Sequence, residues 1–216
     1  MVPIKKSCSW ILKNILQQRD QVKEMQPWKD LVKTGKFAMK NFYYAFLDQQ
    51  QKVPWRKLFY GNVARPRALF TLRIACHDSL ATKARLRKFG MLSNDACSFC
   101  EEVESLQHLF YECRGTRNIW QAILKWMDMH HTPQGWTQEL QWVIENSKNK
   151  SWKAQILKVV VAEASYEIWN YRNDNIFADN RKEMEIDIER KIIDSIVNRV
   201  WMKPNLRKYI AQLIMP

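Results

Sequence analysis

The sequence predicts a mainly α protein, a single compact helical domain with a small cysteine–histidine knuckle embedded in it. Three observations lead there. Gly is limited to 5 and Pro to 7 of 216 residues, so little interrupts the chain. Most segments carry apolar residues three or four apart, the spacing of one helix face. A short stretch, 97–113, departs from that pattern and gathers three cysteines and a histidine. With 46% hydrophobic residues the chain is neither disordered nor of low complexity, and no internal repeat is visible.

The elements follow in order. Ser9 is placed to cap a first helix whose Ile11, Leu12, Ile15 and Leu16 share a face. Gly35 marks a turn, and Phe42–Leu47 reads as an aromatic-rich helix. Pro54 suits the first turn of a short helix, Trp55–Phe59, ended by Gly61. Pro66 opens a helix through His77, with Leu69, Leu72 and Cys76 inward. Thr82 caps Lys83–Phe89 and Gly90 terminates it, so that Leu86 and Phe89 face in. Thr116 is placed to cap a helix through Trp126, and Asp128–Gly135 reads as a loop. Ile156–Phe177 is apolar on nearly every side and reads as a long central helix, although Val159–Val161 alone fits a strand equally. An amphipathic helix carrying Met184, Ile188, Ile192, Ile196 and Val200 comes last, with Pro204 breaking it before a short terminal one. These elements group as a helical extension over 1–34, a basic metal-binding module over 35–127, and a helical C-terminal part over 128–216.

Cys97-Ser-Phe-Cys100 is followed by His108 and Cys113, a spacing of C-x2-C-x7-H-x4-C. A two-residue gap lets both thiolates of a tight turn reach one edge of a tetrahedral Zn2+. Ser105 can cap a short helix that presents His108 and returns Cys113. Four protein ligands fill the shell and leave no position for a catalytic water, so one structural zinc is expected. The competing reading is three buried free thiols and a chance histidine, but three cysteines in 17 residues with a histidine interposed are hard to obtain by accident. Cys76 reads as core and His77 as a helix-end polar contact. Cys8, which stands alone, and the loop pair His130-His131 are assigned no metal.

Charge is unevenly placed. Residues 1–100 hold 19 Lys/Arg against 6 Asp/Glu, whereas residues 101–216 hold 16 of each. Between Arg56 and Lys88 nine cations (Arg56, Lys57, Arg65, Arg67, Arg73, Lys83, Arg85, Arg87 and Lys88) face one acid, Asp78. A field of that kind fits a polyanion. The first residues lack the apolar run of a signal peptide, and no stretch of 18 apolar residues exists. A soluble intracellular protein, nuclear or cytoplasmic, with no membrane partner is expected.

Several stretches are familiar together: Pro66-Arg-Ala-Leu-Phe-Thr-Leu72, Leu80-Ala-Thr-Lys-Ala-Arg-Leu-Arg-Lys-Phe-Gly90, Cys97-x2-Cys100, Glu104-Ser-x-x-His108-Leu-Phe-x-x-Cys113 and Ile119-Trp120. Trp55–Trp126 resembles the reverse-transcriptase zinc-binding domain of plant LINE-type (non-LTR) retrotransposons. Gly35-Lys-Phe37 with Phe42-Tyr-Tyr44 resembles its lead-in, and Ile168-Trp-Asn-Tyr-Arg-Asn173 with Ile176-Phe177 resembles the segment that follows it. The resemblance implies that Cys97, Cys100, His108 and Cys113 are the metal ligands. It also implies a role in handling template RNA or target DNA beside an endonuclease and a reverse transcriptase. This chain starts at Met1, is 216 residues long and has no Tyr-x-Asp-Asp motif, which fits an excised fragment or a captured, domesticated host gene.

The leading expectation is a non-enzymatic nucleic-acid-binding module. Its nine cations would neutralise phosphates, while Trp55, Phe59, Tyr60 or Phe89 stack bases or, by their helical spacing, fill the core. The alternative is a protein-interaction module that holds a host partner through the Trp-rich second half, with Trp136, Trp142 and Trp201 as exposed candidates. Catalysis is not expected, nor a small-molecule substrate. The carboxylate pairs Glu101-Glu102 and Glu183/Asp187 sit beside the knuckle or on a solvated face, and no Ser/His/Asp set or phosphate-cradling Gly loop accompanies them.

Overall fold

The structure is a computed structural model that describes residues 22–24, 26–35, 40, 43–44, 53–177 and 188–214. The chain divides into two compact units, Met1–Lys52 and Val53–Pro216. Of the first, helix α1 (Gln26–Thr34) is described, and Gly35 follows it at φ +67°, the turn its sequence implies. Tyr43 and Tyr44 meet edge to face with centroids 5.9 Å apart. The expected helix after Ser9, most of Phe42–Leu47, and Met184 lie outside the described residues.

The second unit is built around one helix. It opens with a 3-10 turn (Pro54–Leu58) and continues through α2 (Pro66–Cys76), α3 (Lys83–Lys88), α4 (Arg117–Trp126), α5 (Trp136–Asn146), α6 (Trp152–Phe177), α7 (Ile188–Trp201) and α8 (Pro204–Ile214). Among the described residues there is no strand, only an isolated antiparallel bridge between Ala96 and Val103. Helices α2, α5 and α7 pack on α6, and α4 and α8 on α7. At 26 residues α6 is about 39 Å long. Ile156, Leu157, Val159, Val160, Val161 and Ile168 are all buried, and they point to every side of the helix. Val159–Val161 are therefore helical, because packing on all faces outweighs the modest helix propensity of β-branched residues.

Local signals place most helix ends. Pro66 stands in the first turn of α2, whose Ala68, Leu72 and Ala75 form the buried stripe. Thr82 accepts the N–H of Arg85 at 3.4 Å to cap α3, and Gly90 at φ +71° follows its end. Ile192, Ile196 and Val200 form the buried stripe of α7, as their spacing predicts. Thr116 does not cap α4; its hydroxyl instead donates to the Leu109 carbonyl. No helix of the described residues is long and apolar enough to cross a membrane.

Two placements correct the sequence expectations. Phe89 does not face in: α3 has six residues and buries none of them, and the ring is 59% exposed beneath the Arg85 guanidinium. Trp136 is not an exposed contact candidate. It is buried at the start of α5 against Phe110 and Tyr111, with centroids 5.4 and 6.0 Å away.

Candidate metal centre and basic surface

A short hairpin carries the first two cysteines. Cys97 donates its N–H to the Glu102 carbonyl at 2.6 Å and Glu104 donates to Asp95 at 2.8 Å, the ladder around the Ala96–Val103 bridge. Between them Glu101 closes the turn with its N–H on Cys97 O at 3.2 Å and takes φ +66°, a left-handed conformation uncommon outside Gly, Asn and Asp. The Phe99 N–H points at Cys97 Sγ at 3.5 Å.

The other two ligands come from a helical turn. Ser105 Oγ accepts the His108 N–H at 3.0 Å and starts it, as the sequence predicts. Residues His108–Glu112 form a π-helical turn, closed by Cys113 N–H on His108 O at 2.8 Å. That widening is what makes the x4 spacing work. In an α-helix residues five apart point about 140° away from each other, whereas a turn closed between residues five apart brings both to one side.

The four side chains converge. Cys97 Sγ lies 3.7 Å from Cys113 Sγ, Cys113 Sγ 3.6 Å from Cys100 Sγ, and Cys100 Sγ 3.1 Å from His108 Nε2. All four donor atoms fall within 4.8 Å of one another. A tetrahedral Zn2+ with bonds of about 2.3 Å to sulfur separates its sulfurs by about 3.8 Å, so the donor set fits that ion. Burial pushes the Cys97 thiol up and the Cys113 thiol up to about 12. The backbone N–H groups of Phe99 and Gly115 pull the other way, one on each sulfur. Cys97, His108 and Cys113 are buried and Cys100 is half-buried; Cys100 and His108 border a surface cavity of about 360 Å³ with Glu102, Glu112 and Arg114.

The hairpin is braced from outside. Phe99 stacks on Tyr171 of α6 with centroids 5.1 Å apart and planes 16° off parallel. Gly115 lies against Phe99 so closely that a Cβ there would sit 2.9 Å from the Phe99 Cβ. Glu104, fully buried, accepts the Lys83 N–H at 2.9 Å and forms an ion pair with Arg172 of α6, itself 4% exposed. Arg172 also lies over Trp169 at 4.9 Å. The motifs Glu104-Ser-x-x-His108 and Trp169-x-x-Arg172-Asn173, far apart in sequence, are thus physically joined.

Sequence reasoning did not find these supports, nor the other buried carboxylates. Glu139 accepts the Trp120 indole N–H at 2.7 Å and lies 2.8 Å from His131 Nε2. Glu163 and Glu167, one turn apart on α6, meet Arg65, and Glu167 also meets Lys191 at 3.2 Å. A signal existed: a helix without a polar face must bury its charges, and buried charges need partners. Which partners was not legible. Cys76 packs against the core away from the ligands, its thiol pushed up to about 12 by burial. His77 meets Trp55 edge to face at 4.9 Å.

The nine cations of 56–88 divide into two groups. Arg65 is half-buried on Glu163 and Glu167. The Lys83 ammonium donates to Ala96 O at 2.8 Å, Arg85 to Asp78 O at 2.8 Å, and Arg87 pairs with Asp95 at 2.7 Å. Arg56 donates to the Tyr60 hydroxyl and covers its ring. Lys57, Arg67, Arg73 and Lys88 are exposed and have no hydrogen-bond or ion-pair partner among the described residues. Of the aromatic candidates, Trp55 and Phe59 are half-buried against the core, and Tyr60 and Phe89 are exposed.

Three cysteine sulfurs and an imidazole converging on one point form a candidate Cys3His metal site. Residues 37–120 match the family model described as zinc-binding in reverse transcriptase. All four ligands fall inside the match, while α5–α8 lie beyond it. Neither curated proteins nor solved structures give a match.

Proposed function

We propose that the chain is a non-enzymatic nucleic-acid-binding module derived from a plant LINE-type retrotransposon polyprotein, working in the nucleus or cytoplasm. One structural zinc ion on Cys97, Cys100, His108 and Cys113 braces the fold beside a basic surface that contacts phosphates. The observation that carries this reading is a group of cations: Lys57, Arg67, Arg73 and Lys88 are exposed, with no anion partner among the described residues. Internally tied cations such as Arg65 stabilise the fold, whereas free ones retain their full charge for a ligand. Four ligand atoms converge on one point, so the metal supplies rigidity, not an open Lewis-acid position.

Changing Lys57, Arg67, Arg73 and Lys88 to Gln tests it. RNA or DNA affinity should fall without favouring any sequence, because phosphates carry no sequence information directly. Each lost contact should flatten the plot of log affinity against log salt by roughly 0.7 to 0.9. Unchanged affinity and slope would reduce the charge to a solvated face. A second reading has its own observation: Trp201 is 47% and Met202 68% exposed where α7 meets α8, an apolar knob suited to a protein partner. Binding there should hardly respond to salt.

A further inference from the structure

Most exposed side chains of α2 fall into one row. Pro66, Phe70, Arg73 and His77 follow at intervals of three or four residues, with Arg67 at the edge, opposite the buried stripe of Ala68, Leu72 and Ala75. Phe70 is 64% exposed, one turn from each of Arg67 and Arg73. A large apolar ring is thus left open between two cations that have no partner among the described residues.

The row continues beyond the helix. His77 at its end meets Trp55 at 4.9 Å, and Asp78 accepts a hydrogen bond from Arg85 at 2.8 Å. The Arg85 guanidinium in turn lies 5.2 Å over the ring of Phe89, the second open phenylalanine, 59% exposed. Arginines thus flank both open rings, Arg67 and Arg73 beside Phe70 and Arg85 over Phe89.

We infer that this row is a track for single-stranded nucleic acid, on which unpaired bases stack on Phe70 and Phe89 while Arg67 and Arg73 hold the phosphates. The inference rests on the nucleic-acid reading above and narrows it. A duplex keeps its base faces inside the stack and offers protein only groove edges and phosphates. A phenyl ring has no hydrogen-bonding group with which to read an edge, but it fits the face of an unstacked base. The charge on both sides of Phe70 favours a polyanion over an apolar protein surface.

The test measures binding of the full chain to an oligouridine and to a blunt RNA duplex of equal length, by fluorescence anisotropy across a salt series. The variants are Phe70→Ala, Phe89→Ala, Phe70→Tyr, and the pair Arg67→Gln, Arg73→Gln, each first checked for zinc content and melting temperature. Phe70→Ala should weaken single-strand binding by about fivefold to a hundredfold, with Phe89→Ala in the same direction. Duplex binding and the salt slope should hold, since no phosphate contact is lost, and Phe70→Tyr should keep single-strand affinity. Unchanged single-strand affinity in both alanine variants, or equal losses for strand and duplex, overturns the stacking track. If the arginine pair still weakens both ligands, the phosphate reading survives that failure. A wild-type chain that binds neither ligand removes both. Self-association that Phe70→Ala abolishes would make the row a protein interface and also overturn the proposal.

Discussion

A thiolate taken out of water must find replacement partners, and Cys97 and Cys113 have a backbone N–H each, from Phe99 and Gly115, which a bound metal would supplement. Phe99 and Gly115 also touch, so one contact holds both N–H groups in place. Adding a methyl group by Gly115→Ala forces the Phe99 ring away; the expected cost is about 1–3 kcal/mol. A urea melt and a zinc-chelator competition should both register it. Retention of wild-type stability and metal affinity would show that the contact has slack. The convergence of Cys97, Cys100, His108 and Cys113 was legible from spacing alone, because a two-residue cysteine turn is a local device. The π-helical turn after His108 and the stacking of Phe99 on Tyr171 were not, since both depend on chain distant in sequence.

Helices were legible where their ends carry local chemistry. Pro66, Thr82 and Gly90 mark boundaries found in the structure, and the three-to-four spacing of Ile192, Ile196 and Val200 gave the buried face of α7. Spacing misled at Phe89, because a six-residue helix at the surface has no core to face. It was silent on α5, whose buried Trp136, Val143 and Ile144 are interleaved with Gln and Thr. The link between the hairpin and α6 was also beyond reach, because Glu104 and Arg172 are 68 residues apart. Removing one partner strands a buried charge: Glu104→Leu or Arg172→Met alone should cost about 3–5 kcal/mol. The double variant Glu104→Leu, Arg172→Met should lose less than the worse single one, since no charge is then left unpaired. Denaturant melts of all four proteins measure this, and additive losses would mean that the pair is not coupled.

The second unit shares one core from Leu58 to Ile210, and a metal on the Cys3His cluster would tie down its least regular part. Elemental analysis should find one zinc per chain, lost in Cys100→Ser or His108→Ala. Chelators can approach by the Cys100–His108 side, where the surface cavity lies. Because zinc binding and folding are coupled, stripping the ion should lower the melting temperature. With one core, the unit should still melt in a single transition. A separate low-temperature step for the knuckle, or cleanly folded protein without zinc, would contradict this. The ion pair of Glu104 with Arg172 bears on inheritance as well. The family match ends at Trp120, yet the carboxylate inside it is neutralised by an arginine 52 residues further on. A gene rearrangement that moved only the matched stretch would deliver a hairpin with a stranded buried charge. The smallest piece that carries the hairpin with its charge still neutralised therefore runs at least through Arg172, into a helix that contributes no donor atom to the cluster.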